Sequence, residues 1–167
     1  MVVRRLNTQK RITHCTEGAE GLGRAADVAH MLATIPESGK PRSAHLVIDS
    51  AAVIQCVPFE REAWHAGRNA NMRGEGIELC GFAEQTRTQW LDALSLPMLQ
   101  LAARAVRWRC DTLQIPLELR TRDQLLALQP GVTTHAEIAR AFPADTDHSD
   151  PGVNFPLDEF MQAVRAA

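Results

Sequence analysis

Short β-rich runs alternate along the chain with stretches whose apolar residues recur every three or four positions, the pattern of a mixed α/β layer structure. Residues 11–16 predict a first strand. Gly18, Gly21 and Gly23 then mark a loop, and Ala25, Val28, Ala29 and Leu32 take the spacing of an amphipathic helix over 25–34, with Pro36 as its stop. The runs 45–49 and 53–57, separated by a short polar break, predict a hairpin. Further short strands are predicted at 63–66 and 76–80, flanking a polar Gly- and Asn-containing loop over 67–74. In the longest helical pattern Trp90, Leu94, Met98, Leu101, Ala105 and Trp108 share one face, and Pro97 inside it predicts a kink or a restart capped by Ser95. A short helix over 123–128, a turn at Pro130-Gly131 and a closing helix over 157–164 complete the pattern.

A chain of 167 residues with 45% hydrophobic and 23% charged residues is the size and composition of one globular domain, here expected to span 1–167. Basic and acidic residues, 18 against 20, are interspersed, so no surface built for phosphate neutralisation is indicated and nucleic acid is a poor partner. No stretch reaches the roughly 20 apolar residues of a membrane span, and the opening residues lack the apolar segment of a signal peptide. Synthesis as a soluble cytoplasmic chain without membrane insertion, and action as a monomer, are the expectations. Cys15, Cys56, Cys80 and Cys110 are widely spread without a Cys-x-x-Cys, which predicts free thiols. Cys15 follows His14, but neighbours on a strand point to opposite faces, so packing rather than ligation is expected of it.

The remaining chemistry is a split set of metal-type ligands: His14 near the front, and His135 with Asp150 near the back. Two imidazoles and a carboxylate suit a catalytic zinc, whose fourth tetrahedral position stays open for water. Spacing alone is a weak signal, because no pair has the close helical spacing of His-Glu-x-x-His. Motif order adds the rest. Ile12-Thr13-His14-Cys15-Thr16, Ser43-Ala44-His45-Leu46-Val47-Ile48-Asp49, Ala63-Trp64-His65-Ala66-Gly67, Gly76-Ile77-Glu78-Leu79-Cys80-Gly81, Thr134-His135 and Asp150-Pro151-Gly152-Val153-Asn154-Phe155-Pro156 follow one another in the order seen in zinc-dependent type-2 N-acetylmuramoyl-L-alanine amidases. The chain resembles that amidase and peptidoglycan-recognition-protein superfamily over nearly its whole length, and residues 133–156 look most like amidase domains of mycobacteriophage-type endolysins.

The resemblance implies a central mixed β-sheet flanked by helices, a Zn2+ cofactor on His14, His135 and Asp150, and bacterial peptidoglycan as substrate. It also implies release to the wall by a separate protein, and a catalytic domain of a kind often joined to others in a larger endolysin. At the Gly-Ile-Glu-Leu position it makes Glu78 the acid/base group. Read from the strand pattern alone, Glu78 faces away from Ile77 and Leu79, toward a cleft or toward solvent. His45 and His65 match positions near the cleft and are assigned substrate contact or orientation of a ligand, with packing as the alternative. Trp64 joins them as a substrate contact. Arg68, Asn69 and Arg73 precede Glu78 in the polar loop and suit stem-peptide carboxylates or muramic sugar, with ordinary exposure as the alternative.

His148 is a departure. Many relatives carry Lys-Thr-Asp-Pro-Gly, whose lysine helps stabilise the oxyanion, where this chain has His148-Ser149-Asp150-Pro151-Gly152. A histidine is a donor of the type that titrates near neutral pH, and it is also able to ligate zinc, so His148 and Asp150 both stand as third-ligand candidates. Another subgroup places a tyrosine just before the His45 position; here Ala44 stands there and the chain has no Tyr, which fits the Glu-dependent version. The expected reaction is hydrolysis of the amide between the lactyl group of N-acetylmuramic acid and L-alanine. The competing readings are a peptidoglycan-binding module without activity and a zinc peptidase cutting another stem-peptide amide.

Overall fold

A computed structural model describes residues 9–34, 39 and 41–167. Pro36, the expected stop of the first helix, lies outside them. The elements are β1 (Lys10–Cys15), α1 (Arg24–Ala33), β2 (Leu46–Ile48), β3 (Val53–Gln55), α2 (Arg68–Asn71), β4 (Gly74–Leu79), α3 (Arg87–Trp90), α4 (Ser95–Leu113), α5 (Arg122–Leu126), β5 (Gly131–Thr134), α6 (His135–Ala141) and α7 (Leu157–Ala166). One five-stranded sheet has the order β3-β2-β4-β1-β5, parallel except for the antiparallel β2–β3 hairpin at its edge. This is the mixed α/β layer structure that the sequence pattern predicts, in the form of the mixed sheet flanked by helices that the resemblance implies. Among the described residues no helix is long and apolar enough to cross a membrane.

Strand alternation assigns the two faces. Arg11, Thr13 and Cys15 of β1, with Glu75, Ile77 and Leu79 of β4, fall on one face; Ile77 and Leu79 join Met98, Ala102 and Val106 of α4 in the larger apolar cluster. On the other face Ile12 packs with Ala66, Ala70, Leu125, Ile138 and Ala141 in a smaller cluster. Beyond Ile12, toward the strand ends, that face carries His14 and Glu78.

The larger face also buries charge. Glu75 accepts both Arg109 Nε at 3.0 Å and Arg109 Nη2 at 2.8 Å, and Arg11 Nε lies 3.3 Å from the same carboxylate. The Arg109 guanidinium stacks over Phe59, 3.8 Å from the ring centroid. These contacts join β1, β4 and α4 through one carboxylate.

Several elements depart from the sequence pattern. The segment 63–66 is irregular rather than a strand, because Asn71 Oδ1 takes the N–H groups of His65 (3.0 Å) and Ala66 (2.8 Å) that a neighbouring strand would otherwise need. The predicted loop 67–74 folds into α2 and the start of β4. Around Pro97 the helix restarts, as one of the two expected alternatives has it, and Pro97 falls in the first turn of α4 where no N–H is required. The N-cap position is Leu94, and Asp92 two residues before it holds the turn, its Oδ1 accepting Leu94 N at 2.8 Å and Ser95 N at 2.9 Å, while Ser95 itself is buried with its hydroxyl on Glu20. The buried stripe of α4 runs through Met98, Leu99, Ala102, Ala103, Val106 and Cys110, leaving Leu94 and Trp108 exposed. β5 and α6 were not expected, although the β-branched run Val132-Thr133-Thr134 and the Thr134-x-x-Glu137 spacing are their sequence signals. Thr134 Oγ1 indeed accepts Glu137 N at 3.3 Å and caps α6.

Candidate metal centre and catalytic cleft

The sheet order places β4, β1 and β5 side by side and parallel, so their carboxyl ends coincide. Ligand sites of open α/β sheets form at such an edge. His14 pairs in register with Glu78, and His135 follows β5 directly as the first residue of α6. Residues far apart in sequence thereby meet. Asp150 reaches them from the loop after α6, where its Oδ2 accepts Cys15 N at 3.3 Å and its carbonyl accepts Ala136 N at 3.0 Å. The Asp150–Pro151 peptide bond is cis.

His14 Nδ1 lies 3.0 Å from His135 Nδ1 and 3.3 Å from Asp150 Oδ2, and His135 Nδ1 lies 2.9 Å from Asp150 Oδ1. All three residues are buried. Bonds of about 2.0–2.1 Å to one tetrahedral ion would set ligand atoms roughly 3.3 Å apart, so this donor set fits zinc without large rearrangement. The outward nitrogens are also held: His14 Nε2 lies 3.0 Å from His65 Nδ1, and His135 Nε2 lies 2.9 Å from Thr146 Oγ1. Paired outer nitrogens are the usual companions of metal-binding imidazoles.

Electrostatics agree with this donor set. Burial lowers the His14 pKa to about 4 despite its bond to Asp150, so the ring is neutral at pH 7 with a lone pair to offer. Burial alone would raise Asp150, but hydrogen bonds from His135 and His14 outweigh it and hold the carboxyl below the usual range. Glu78 is raised to about 8, first by burial and then by the charges of Asp150 and Glu17.

A cleft of about 270 Å³ opens beside the cluster, lined among others by Glu78, Trp64, His65, Arg42 and the apolar side of α1 at Val28, Met31 and Leu32. A groove of about 570 Å³ meets it at His148, which lines both. His148 is 64% exposed, stacks on His135 with centroids 4.7 Å apart, and has Nδ1 3.5 Å from Asp150 Oδ1. It stands outside the tight cluster that Asp150 completes.

Of the other candidates, Trp64 and His65 line the cleft, whereas Arg68 and Asn69 do not. Asn69 is engaged with Asp145, whose Oδ2 accepts its backbone N–H at 2.8 Å and its side-chain amide at 3.0 Å. His45 lies fully buried below the cleft, its Nδ1 accepting Gly76 N at 3.1 Å and its Nε2 3.1 Å from Arg61 O. Cys15 is not in the cluster; its thiol donates to Glu17 Oε1 at 3.2 Å, and burial pushes its pKa up. Glu17 was not anticipated. Its left-handed φ of 51° turns a second carboxylate to the cleft, where Ala83 N donates to it at 3.1 Å. Thr146 was not anticipated either, since its pairing with His135 depends on how the loop folds back.

Fold and site together define an α/β protein with a three-ligand, metal-type centre beside a half-buried carboxyl group. The chain belongs to the N-acetylmuramoyl-L-alanine amidase family, whose profile matches residues 5–153. The N-acetylmuramoyl-L-alanine amidase CwlA of Bacillus sp is 45% identical over 42 residues, which span 23% of this chain and 17% of that protein. A point mutant of PlyL has the same fold, with a TM-score of 0.68 at 17% identity over 99% of this chain and 90% of that one. So does the Staphylococcus aureus hydrolase AmiA, solved in complex with its ligand: TM-score 0.71, 15% identity, 95% of this chain and 71% of that one.

Proposed function

We propose that the chain hydrolyses the amide joining the lactyl group of N-acetylmuramic acid to L-alanine in bacterial peptidoglycan. The observation that carries this reading is the convergence of His14, His135 and Asp150 beside Glu78 on one sheet face, in a chain of the amidase family. His14, His135 and Asp150 would hold Zn2+, which when bound lowers the pKa of water and polarises a carbonyl.

The chain's own residues supply the rest. Glu78 takes a proton from the attacking water and returns it to the departing nitrogen. Burial and like charge raise its pKa to about 8 without metal, and a cation held by His14 on the adjacent strand would lower that value and leave Glu78 able to act as a base. His148, exposed at the junction of cleft and groove, donates a hydrogen bond to the developing oxyanion. A lactyl–alanine bond has glycan on one side and peptide on the other, and the two spaces meeting at His148 accommodate both arms. Trp64 forms part of the cleft wall against which substrate rests.

Mass analysis of peptidoglycan digested by the zinc-loaded chain tests this reading. Free lactyl ends with intact stem peptides are expected. Cut stems would establish a peptidase instead, and an absence of products together with binding to the wall would establish a recognition module.

A further inference from the structure

His14 uses its two ring nitrogens differently. Nδ1 faces His135 and Asp150, while Nε2 lies 3.0 Å from His65 Nδ1, with the two rings edge to face at 5.0 Å between centroids. When Nδ1 serves a cation, the ring proton must sit on Nε2, and His65 Nδ1 is then its acceptor. The place of the His65 ring is itself built. A Cβ at Gly76 would lie 2.5 Å from His65 Cγ and 2.7 Å from its Nδ1, so the ring occupies space that only a glycine on β4 leaves open. Asn71 Oδ1 fixes the backbone below the ring by accepting His65 N at 3.0 Å and Ala66 N at 2.8 Å. Gly76 N donates to His45 Nδ1 at 3.1 Å, which anchors the strand where the ring rests.

We infer that His65 is a positioning residue for the metal centre: its Nδ1 accepts the His14 Nε2 proton and holds His14 in the tautomer and rotamer that present Nδ1 to the metal. Gly76 and Asn71 set the ring in place for that task. The inference rests on the zinc reading of the cluster. It differs from a role for His65 as a substrate contact because it acts on metal affinity, with or without substrate.

Zinc affinity measured by competition with a chromophoric chelator tests it, with the visible spectrum of the cobalt(II) form as a second readout. His65→Ala is expected to keep its fold by circular dichroism, to lose about 10- to 100-fold in zinc affinity, the usual range for removing the partner of a metal-binding imidazole, and to shift the cobalt spectrum. His65→Asn, whose carbonyl oxygen falls near the place of Nδ1, is expected to recover most of that loss. Gly76→Ala, which touches no ligand, is expected to weaken zinc in the same way by displacing the ring, and to add little when combined with His65→Ala. A folded His65→Ala with zinc affinity within about twofold of the unaltered chain overturns the inference. So does an asparagine variant as weak as the alanine one, and that comparison stands even if Gly76→Ala does not fold. An unaltered chain that takes up no zinc overturns the metal reading itself, and this inference with it.

Discussion

Glu78 and Asp150 are carboxylates on one cleft with opposite shifts, and the difference lies in their partners. Asp150 is bonded to two imidazoles, whereas Glu78 has burial and like charge around it. In metal-free protein Glu78 holds its proton up to about pH 8 when folded and to about 4.5 when unfolded. Over that interval the folded state binds more protons, so stability falls as pH rises. His14, lowered from 6.5 to about 4, acts in the opposite sense, but only below about pH 6.5. Between pH 6.5 and 8 the Glu78 effect therefore dominates, with Lys10, lowered to about 8 by burial, adding a smaller opposite change toward the upper end. After chelation the unaltered chain should lose about 1 kcal/mol of stability across this window relative to Glu78→Gln, a figure discounted for the partial exposure of Glu78, while the Gln variant should show no such fall. Denaturant titration at both pH values checks it. The third ligand is tested at the same scale. His148→Ala should retain stoichiometric zinc by elemental analysis, because its ring lies outside the tight cluster, whereas Asp150→Ala should lose it. The reverse result would make His148 the ligand.

Among the elements, the Asp150 loop is the one whose placement decides the site. Gly152 has φ 94°, and a Cβ there would lie 1.9 Å from Ala83 O, so the loop after α6 passes directly against the loop after β4. Gly152→Ala should force the two apart, costing on the order of 2 kcal/mol or more and weakening zinc by moving Asp150. Thermal unfolding and chelator competition on the same variant measure both effects. By contrast, the turn that leads into α4 is held by a local side-chain contact. Asp92→Ala removes an acceptor from Leu94 N and Ser95 N and should cost about 1 kcal/mol without altering metal binding.

For the whole molecule, the site occupies the open part of one sheet face while the opposite face carries α4 and the buried Arg11–Glu75–Arg109 network. That network does not touch the metal-type cluster. It joins the two strands bearing His14 and Glu78 to the longest helix, and Glu75→Ala would leave two buried guanidinium groups without their carboxylate. A loss of about 3–5 kcal/mol in denaturant titration is expected, as for other broken buried ion pairs, and a loss below about 1 kcal/mol would show the network to be incidental.

The sequence by itself determined the local features of the protein. Short β-rich runs marked β1 and β4 and helical periodicity marked α1, because these signals lie within short windows, while the resemblance carried by motif order along the chain pointed to His14, Glu78, His135 and Asp150. Glu78 was legible down to its face, since Ile77 and Leu79 beside it need the apolar side. Tertiary structure decided which distant residues become neighbours. The hydrogen bonds of His14 to His65, of His135 to Thr146 and of Asn69 to Asp145 cross turns and strand ends that no local period encodes. Likewise the glycine at 76 reads in sequence only as a small residue in a strand; its meaning is the imidazole lying against it. The centre itself follows from the parallel order β4-β1-β5, which brings three carboxyl ends together because non-local pairing, not the chemistry of any one segment, sets the order of strands in a sheet.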